Sequence, residues 1–280
     1  HAHAALYAGY FASRVRARLG LPYVLTEHSS FHARAVIRRC LYRVEVQRAY
    51  ASASAIAVVS PALGHLLERR LGRVAQEWVW VPNVLAPEFL VLEPMRVGRP
   101  DEFTFLNIAV MTPVKGQETI IRAFAEAFCG DRSVRLRIGG DGPLRPRLEK
   151  LTRDLGVRSQ VTFLGTLGRS QVVDEMMAAD VFVLGSSYET FGVVLIEALA
   201  CGTPVIATAC GGPDSFVDQS NGILVRAGSV TDLAEAMLRM RSGIQKYSRI
   251  DIRGRCIEAF GPQAVAGKYL RLYEEVLTSQ

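Results

Sequence analysis

The chain has 280 residues, of which 49% are hydrophobic and 21% charged, and its formal net charge is +6. This composition is that of a globular protein long enough for more than one domain, and no apolar run is long enough to predict a membrane-spanning helix. The five cysteines are scattered and form no C-x-x-C pair. Neither a disulfide framework nor a zinc site is therefore expected, and a reducing, cytoplasmic location is predicted.

The positive charge is concentrated in two arginine-rich segments near the start of the chain, SRVRARLG and ARAVIRRCLYRVEVQR. One interpretation is a solvated helix face. The other is attraction to an anionic partner, either a phosphorylated ligand or the inner face of a membrane. Nucleic acid is not an expected partner, because no aromatic-interleaved basic motif or helix-turn-helix pattern occurs.

Short apolar segments alternate with longer helical patterns along the whole chain. The predicted strands are PYVLTEH, AIAVVS, WVWVPN, TFLNIAVM, RLRIGG, VTFLG, DVFVLG and PVIATA, and the clearest helices are 118–128, 144–155, 170–179 and 193–200. Strands without polar alternation that are separated by helices are typical of a parallel sheet covered on both faces. The sequence therefore predicts an α/β fold with doubly wound parallel sheets.

A segment rich in proline and charge, residues 86–103, has no clear periodicity and is interpreted as a linker. We therefore expect the C-terminal part of one Rossmann-like domain in residues 1–97 and a second Rossmann-like domain in residues 98–261. Residues 262–280 are expected to form a closing helix that returns toward the first domain.

The closing helix has a predicted apolar face. Val265, Tyr269, Leu272 and Val276 recur at helical spacing in this segment.

Glu197 lies in the apolar run VVLIEALA, which predicts a helix buried between a sheet and a neighbouring domain. A buried carboxylate is costly unless it is paired or hydrogen-bonded. Two explanations are open. Glu197 forms an ion pair with a core arginine, or its helix borders a cleft in which it accepts hydrogen bonds from ligand hydroxyls, such as the vicinal pair of a ribose.

Glu189 precedes this helix, in the loop after the predicted strand DVFVLG. In open parallel sheets the ligand crevice lies beyond the carboxyl ends of the strands. Gly192 removes a side chain that would keep a ligand from the backbone. The amides of Phe191 to Val194 are unpaired helix N-terminal donors that suit a phosphate. This turn therefore predicts a phosphate site between two acidic side chains.

Lys115 and Gly116 lie in the loop after the predicted strand TFLNIAVM, again at a carboxyl end. Lys115 is either a solvent-exposed turn residue or a point charge for a diphosphate. The glycines of IGGDGPLRPRL form a tight strand-to-helix turn without the complete dinucleotide-binding fingerprint. That turn is either structural or a ligand contact.

His28 follows the predicted strand PYVLTEH and is either structural or directed at the same crevice. His1 and His3 lack a third ligand nearby, so no metal site is expected. The sequence contains no nucleophile elbow, Walker A motif or HExxH motif.

Several motifs occur together in order and spacing: VVSPAL, VPNVL, TPVKGQETIIRAF, IGGDGPLRPRLEKL, VTFLGTLGRSQVVDEMMAADVFV, ETFGVVLIEALACGTPVIAT and NGILVRAGSVTDLAEAM. Over essentially its whole length the chain resembles the retaining glycosyltransferases of family 4 (group 1). These have two Rossmann-like domains in the GT-B arrangement and a Glu-x7-Glu motif.

The resemblance implies transfer of a sugar, with retention, from a UDP- or GDP-sugar to a saccharide or lipid-linked acceptor, without a metal or other cofactor. It assigns catalytic roles to His28 and to Glu189, which would bind hydroxyls of the transferred sugar. Lys115 would hold the diphosphate and Glu197 the ribose. The remaining implied donor contacts are Gly116, Leu167, Arg169, Phe191, Gly192, Val193 and Val194, with the main chain at Leu167 and Arg169 meeting the base.

The sequence departs from the family pattern in two places. The family usually has an arginine five residues before the lysine, whereas this chain has Val110. Members also begin with further strands before the HAH segment, so we expect this sequence to be truncated at its N-terminus.

Other functions compatible with the same residues are a nucleotide-sugar-binding chain that transfers nothing and a nucleotide-sugar epimerase. A phosphorylase is disfavoured because no lysine is placed for a pyridoxal cofactor. A glycosidase is disfavoured because its two acids must face each other across a sugar ring. One glutamate in a loop and one in the following helix lie along a ligand instead.

Overall fold

The computed structural model of the chain describes residues 1–29, 40–72, 77–90 and 101–278. Its contacts divide the chain into two compact units. The first unit is His1–Val84 together with Pro262–Gln280, and the second is Leu85–Gly261. The division lies at 84/85, whereas the sequence-based division placed it at 97/98.

Each unit contains one parallel sheet among its described residues. The first sheet has the strand order β1-β2-β3-β4, with β1 Ala2–His3, β2 Val24–Glu27, β3 Ala55–Val58 and β4 Val79–Trp80. The second has the order β10-β9-β8-β5-β6-β7, with β5 Phe103–Ile108, β6 Val134–Gly139, β7 Val161–Gly165, β8 Val181–Leu184, β9 Val205–Ala209 and β10 Gly222–Arg226. This second order is the one that defines a Rossmann-type sheet.

Helices connect most of the strands, whereas the 3-10 turn Pro213–Ser215 lies between β9 and β10. The helices are α1 Tyr10–Leu19, α2 Cys40–Ser52, α3 Pro61–Leu71, α4 Gln117–Phe128, α5 Arg145–Asp154, α6 Arg169–Ala178, α7 Val193–Ala200, α8 Val230–Gly243, α9 Arg249–Phe260 and α10 Pro262–Thr278. Serine side chains cap the first turn of three of them and accept a backbone N–H, at Ser60, Ser229 and Ser248. Such caps satisfy amides that have no acceptor within the helix.

The predicted strands and helices are confirmed within a few residues of each end. Two strands were missed. β1 has two residues, too few to show a period, and β10 is an edge strand that pairs only with β9 and is half-buried in its middle. Neither satisfies the pattern of a fully buried strand on which the prediction was based.

One apolar core cluster of the second unit lies on one face of its sheet, and Leu106, Phe182 and Leu184 are buried on the other face. Phe105 of β5 stacks on Phe128 of α4 with ring centroids 5.5 Å apart. Helices α4, α5 and α8 contribute to this core, whereas α7 packs against α6 and α9. The sheet is therefore covered by two groups of helices, as its continuous apolar strands predicted.

The closing helix α10 belongs to the first unit. Its Val265 and Leu272 are buried against Val24, Ala57 and Val81 of that unit. Tyr269 and Val276 are partly buried against the same cluster, so the predicted apolar face of this helix is confirmed.

The predicted linker, residues 86–103, is only partly described, because residues 91–100 lie outside the described ranges. Its first residues are not free chain. Phe89, in the 3-10 turn Pro87–Phe89, is fully buried in the second unit, and the guanidinium of Arg253 donates to the carbonyls of Phe89 and Leu90 at 2.8 Å each. In the described part of the chain no helix is long and apolar enough to cross a membrane.

Candidate functional site

Strands β5 and β8 lie side by side in the second sheet, with Phe105 opposite Val181. From β5 the chain proceeds outward through β6 and β7, and from β8 it proceeds the other way through β9 and β10. The two loops that leave β5 and β8 therefore start at a topological switch point, where open α/β sheets form their ligand crevice. These loops are residues 109–116 and 185–192.

Asn107 ties the two strands together at this point. It is fully buried, and its Nδ2 donates to the carbonyl of Val183 at 2.8 Å. The carboxyl ends of β5 and β8 are therefore held in fixed register beneath the two loops.

Lys115 and Glu189, predicted separately as ligand contacts, meet across the switch point. The Nζ of Lys115 lies 2.6 Å from the Oε1 of Glu189, and the two side chains are 32% and 13% exposed. The hydroxyl of buried Ser186 donates to the same oxygen at 2.8 Å. Sequence reasoning missed Ser186, whose only signal was its place in the loop three residues before Glu189.

Gly116 allows these loops to approach each other. Its φ is +67°, and a Cβ at this position would lie 1.9 Å from the carbonyl oxygen of Gly185. Only glycine tolerates both the conformation and the contact. The predicted role of Gly116 as a ligand contact stays a prediction, but the structure adds a packing role.

The N-terminus of α7 lies directly after Glu189. Gly192 has φ +92° and precedes the helix, and Val193 is 40% exposed. The side chain of Phe191 is buried among Phe216 and Phe260, with ring centroids 5.1 and 5.8 Å away. The ring of Phe191 therefore anchors the turn. The predicted ligand contact of this residue is through its backbone amide.

Glu197 is buried in α7, and its Oε1 accepts a hydrogen bond of 2.9 Å from Nη1 of Arg169. An arginine partner was one of the two explanations drawn from the sequence, although Arg169 is half-exposed and not a core residue. Burial raises the pKa of Glu197, and the hydrogen bond and charge of Arg169 act in the opposite direction. The apolar run of α7 also predicted that this helix lies against a neighbouring domain. Its described cover is α9 of the same unit, where the Cys256 thiol donates to the carbonyl of Ile196.

The glycine turn after β6 is built by close packing. A Cβ on Gly140 would lie 2.2 Å from the carbonyl oxygen of Ala109, and a Cβ on Gly139 would lie 2.8 Å from Leu167. Leu167 thus packs at the end of β6, at the start of the segment that leads to Arg169. A structural role accounts for these glycines.

His28 belongs to the first unit. Its Nδ1 lies 3.0 Å from Oδ1 of Asn83, and its Nε2 lies 2.8 Å from Nδ1 of His3. Burial is the main cause that lowers the pKa of His3, and His28 adds to it. Beside it, buried Glu27 accepts hydrogen bonds from the amide of His28 and the hydroxyl of Tyr50. The described residues contain no group of histidine, cysteine and acidic side chains that could hold a metal ion.

A family model described as "Glycosyl transferases group 1" matches residues 95–255, more than half of the chain. A second model, described as "Glycosyltransferase Family 4", matches residues 1–89. The chain therefore belongs to the glycosyl transferases group 1 family.

Curated relatives are similar over part of their length. The D-inositol 3-phosphate glycosyltransferase of Stackebrandtia nassauensis is 34% identical over 180 aligned residues, and the match covers 60% of this chain and 41% of the relative. The lipopolysaccharide core biosynthesis glycosyltransferase LpsE of Rhizobium meliloti is 35% identical over 161 aligned residues, and the match covers 56% of this chain and 46% of the relative. The matched part of this chain thus spans less than half of each of these relatives.

The fold is that of Anabaena Alr3699/HepE, solved in complex with UDP. The TM-score is 0.80 at 22% identity, and the match covers 96% of this chain and 76% of that one. The same protein has also been solved with UDP-glucose. This likeness confirms the predicted α/β fold with two Rossmann-like domains of the GT-B type.

Proposed function

We propose that the chain transfers a sugar from a nucleotide-sugar, a UDP- or GDP-sugar, to a saccharide or lipid-linked acceptor with retention at the anomeric carbon. The observation that carries this proposal is the Lys115–Glu189 pair. It joins the two switch-point loops at 2.6 Å, directly before the N-terminus of α7.

We assign the parts of a nucleotide-sugar to these groups in the following order. Glu189 would bind hydroxyls of the sugar, Lys115 and the first amides of α7 the diphosphate, and Glu197 the ribose. The chemical step creates negative charge on the leaving diphosphate, and a fixed cation and helix-end amides stabilise that charge without reorganising. The cation of Lys115 supplies this charge from the protein, so we propose a transfer that needs no metal. His28 is proposed as the second catalytic residue.

An anionic membrane is the proposed location of a lipid-linked acceptor. The first unit exposes Tyr7 and Phe11, at 78% and 70%, together with Arg14 and Arg18 of α1. Aromatic and cationic side chains together favour an anionic lipid surface. Co-sedimentation with phosphatidylglycerol vesicles tests this part, since phosphatidylcholine vesicles should capture much less protein.

The test of the proposed function is nucleotide binding followed by transfer. UDP or GDP should raise the melting temperature of the chain, and Glu197→Ala should abolish the shift. Incubation with UDP- and GDP-sugars and saccharide acceptors should then give a product whose anomeric NMR coupling matches the donor, with the same rate in EDTA. If neither nucleotide shifts the melting temperature, the proposal fails. Binding without transfer would identify a nucleotide-sugar-binding chain instead.

A further inference from the structure

The side chain of Arg169 occupies a defined position next to Glu197. Its Nη1 donates to Oε1 of Glu197 at 2.9 Å. The arginine side chain is 52% exposed, whereas the carboxylate side chain is 9% exposed. The family resemblance implied only a main-chain contact at Arg169, so this side-chain contact is a separate observation.

The guanidinium is also held from its other side. Its Nε lies 3.7 Å from Oε1 of Glu88, and its central carbon lies 5.5 Å from the centroid of the Phe89 ring. Phe89 is fully buried, and its carbonyl is fixed by Arg253. Arg169 is therefore directed at Glu197 by a rigid support on the turn before β5.

Glu197 needs such a partner because its surroundings disfavour a charge. Burial is the largest influence and raises its pKa, and the charge of Glu88 acts in the same direction. Arg169 opposes both through its hydrogen bond and its charge. Other ionisable groups near this end of α7 are two buried thiols and two arginines. Burial raises the thiol pKa of Cys201 to about 12, and the thiol of Cys256 donates to the carbonyl of Ile196. Arg249 and Arg253 of α9 donate to the carbonyls of Cys201 and Ala200.

A protonated carboxyl group is a poor partner for two vicinal hydroxyls, since one of its oxygens carries a proton and donates instead of accepting. Resting on the proposed function, we propose that Arg169 is a positioning residue for Glu197. Its guanidinium holds one carboxylate oxygen and keeps the group charged, and the other oxygen is thereby presented to the ribose hydroxyls of the donor.

The first experiment needs no ligand. The Glu197 carboxyl carbon is titrated by ¹³C NMR in the wild-type chain, in Arg169→Gln and in Arg169→Lys, with the signal assigned through Glu197→Gln. The pKa of Glu197 should be higher in Arg169→Gln than in the wild type, and Arg169→Lys should restore most of the difference, because lysine keeps the charge. An unchanged pKa in Arg169→Gln would overturn the proposal.

The second experiment measures the dissociation constant for UDP, or for GDP if that is the nucleotide bound, at pH 6 and pH 8. The ratio of the variant to the wild-type constant cancels the titration of the nucleotide itself. For Arg169→Gln this ratio should be larger at pH 6 than at pH 8, since the variant regains a charged Glu197 as the pH rises. Arg169→Lys should show a ratio near one at both values.

The matched control is Arg137→Gln. Arg137 forms a comparable pair with Glu175, which lies on the same helix α6, and its Nη2 is 2.5 Å from the acid. This variant should bind nucleotide like the wild type at both pH values. An equal loss at pH 6 and pH 8 in Arg169→Gln would contradict the role proposed for Arg169 and leave the proposed function intact. Absence of nucleotide binding by the wild type would instead defeat the proposed function, while the carboxyl titration would still decide the role of Arg169.

Discussion

Lys115 and Glu189 form one ion pair, although the sequence motifs presented them as two separate ligand contacts. A diphosphate that binds Lys115 must compete with the carboxylate of Glu189. The pair is partly exposed, so its contribution is small, at most about 1 kcal/mol. It nevertheless couples the sugar end of the proposed ligand to the phosphate end.

This coupling predicts opposite effects of two substitutions on the binding of UDP. Glu189→Gln should tighten binding by up to about fivefold because it releases Lys115, while sugar transfer falls. Lys115→Ala should weaken binding about tenfold or more, since it removes a charged hydrogen bond to the phosphates. Isothermal titration calorimetry measures both effects. Weaker binding by Glu189→Gln would show that the carboxylate does not compete with the phosphates.

Replacing Val110 with arginine is predicted to increase the affinity of the chain for UDP. Val110 is 60% exposed in the loop before Lys115, at the position where the family resemblance implies an arginine. Val110→Arg should raise affinity for UDP about tenfold by restoring one cation at the diphosphate. Val114→Arg is the control, because Val114 is 45% exposed in the same loop. Equal gains in both variants would indicate only a general attraction of anions.

At the scale of elements, the site depends on how closely two loops pack. The turn into α4 passes Gly185 at a distance that excludes any side chain on Gly116. The position of Lys115, one residue earlier, is therefore set by a contact with the loop that carries Glu189. The close packing of the two loops therefore also sets the geometry of the candidate site.

Gly116→Ala should consequently cost more than an ordinary positive-φ substitution. The added methyl meets a backbone carbonyl, so we expect a loss of more than about 3 kcal/mol in the free energy of unfolding, measured by urea denaturation. Gly130→Ala separates the strain of a positive φ from the clash with a backbone carbonyl. Gly130 has φ +88°, and a Cβ added there would meet nothing within 4 Å, so its loss should be about 1 kcal/mol. Similar losses in both variants would mean that the loops separate at little cost.

At the scale of the whole molecule, buried thiols make stability sensitive to alkaline pH. Burial raises the pKa of Cys201 and Cys256 to about 12 and that of Cys210 to about 11, from an ordinary value of 9.0. Between pH 9 and the raised pKa of each thiol, the unfolded chain loses thiol protons that the folded chain keeps. Their contribution to stability is therefore complete below pH 9 and is lost as the pH rises toward 12.

Cys256→Ala should reduce this loss. Between pH 9 and pH 10 the decline in the free energy of unfolding should be about 1 kcal/mol smaller than in the wild type, as measured by urea denaturation at each pH. Cys129→Ala, at an exposed thiol of the same unit, is the control and should keep the wild-type decline. An identical decline in Cys256→Ala and the wild type would contradict the assignment.

The sequence by itself determined the α/β class and most of the strands and helices, and it predicted residues of the candidate site. It could do so because continuous apolar strands, helical periodicity and turn glycines are local patterns that survive in any environment. The helix around Glu197 and the loop position of Glu189 followed from such patterns. The two-residue β1 and the half-buried edge strand β10 did not, because they lack the period of a buried strand.

Only the tertiary structure decided which side chains meet. Lys115 and Glu189 are 74 positions apart, and Arg169 and Glu197 are 28 apart. Such pairs depend on the order of strands in the sheet and on the loops that the sheet brings together, and no local period records that order. The structure therefore identified Arg169 as a partner of the buried carboxylate, which no local pattern in the sequence had indicated.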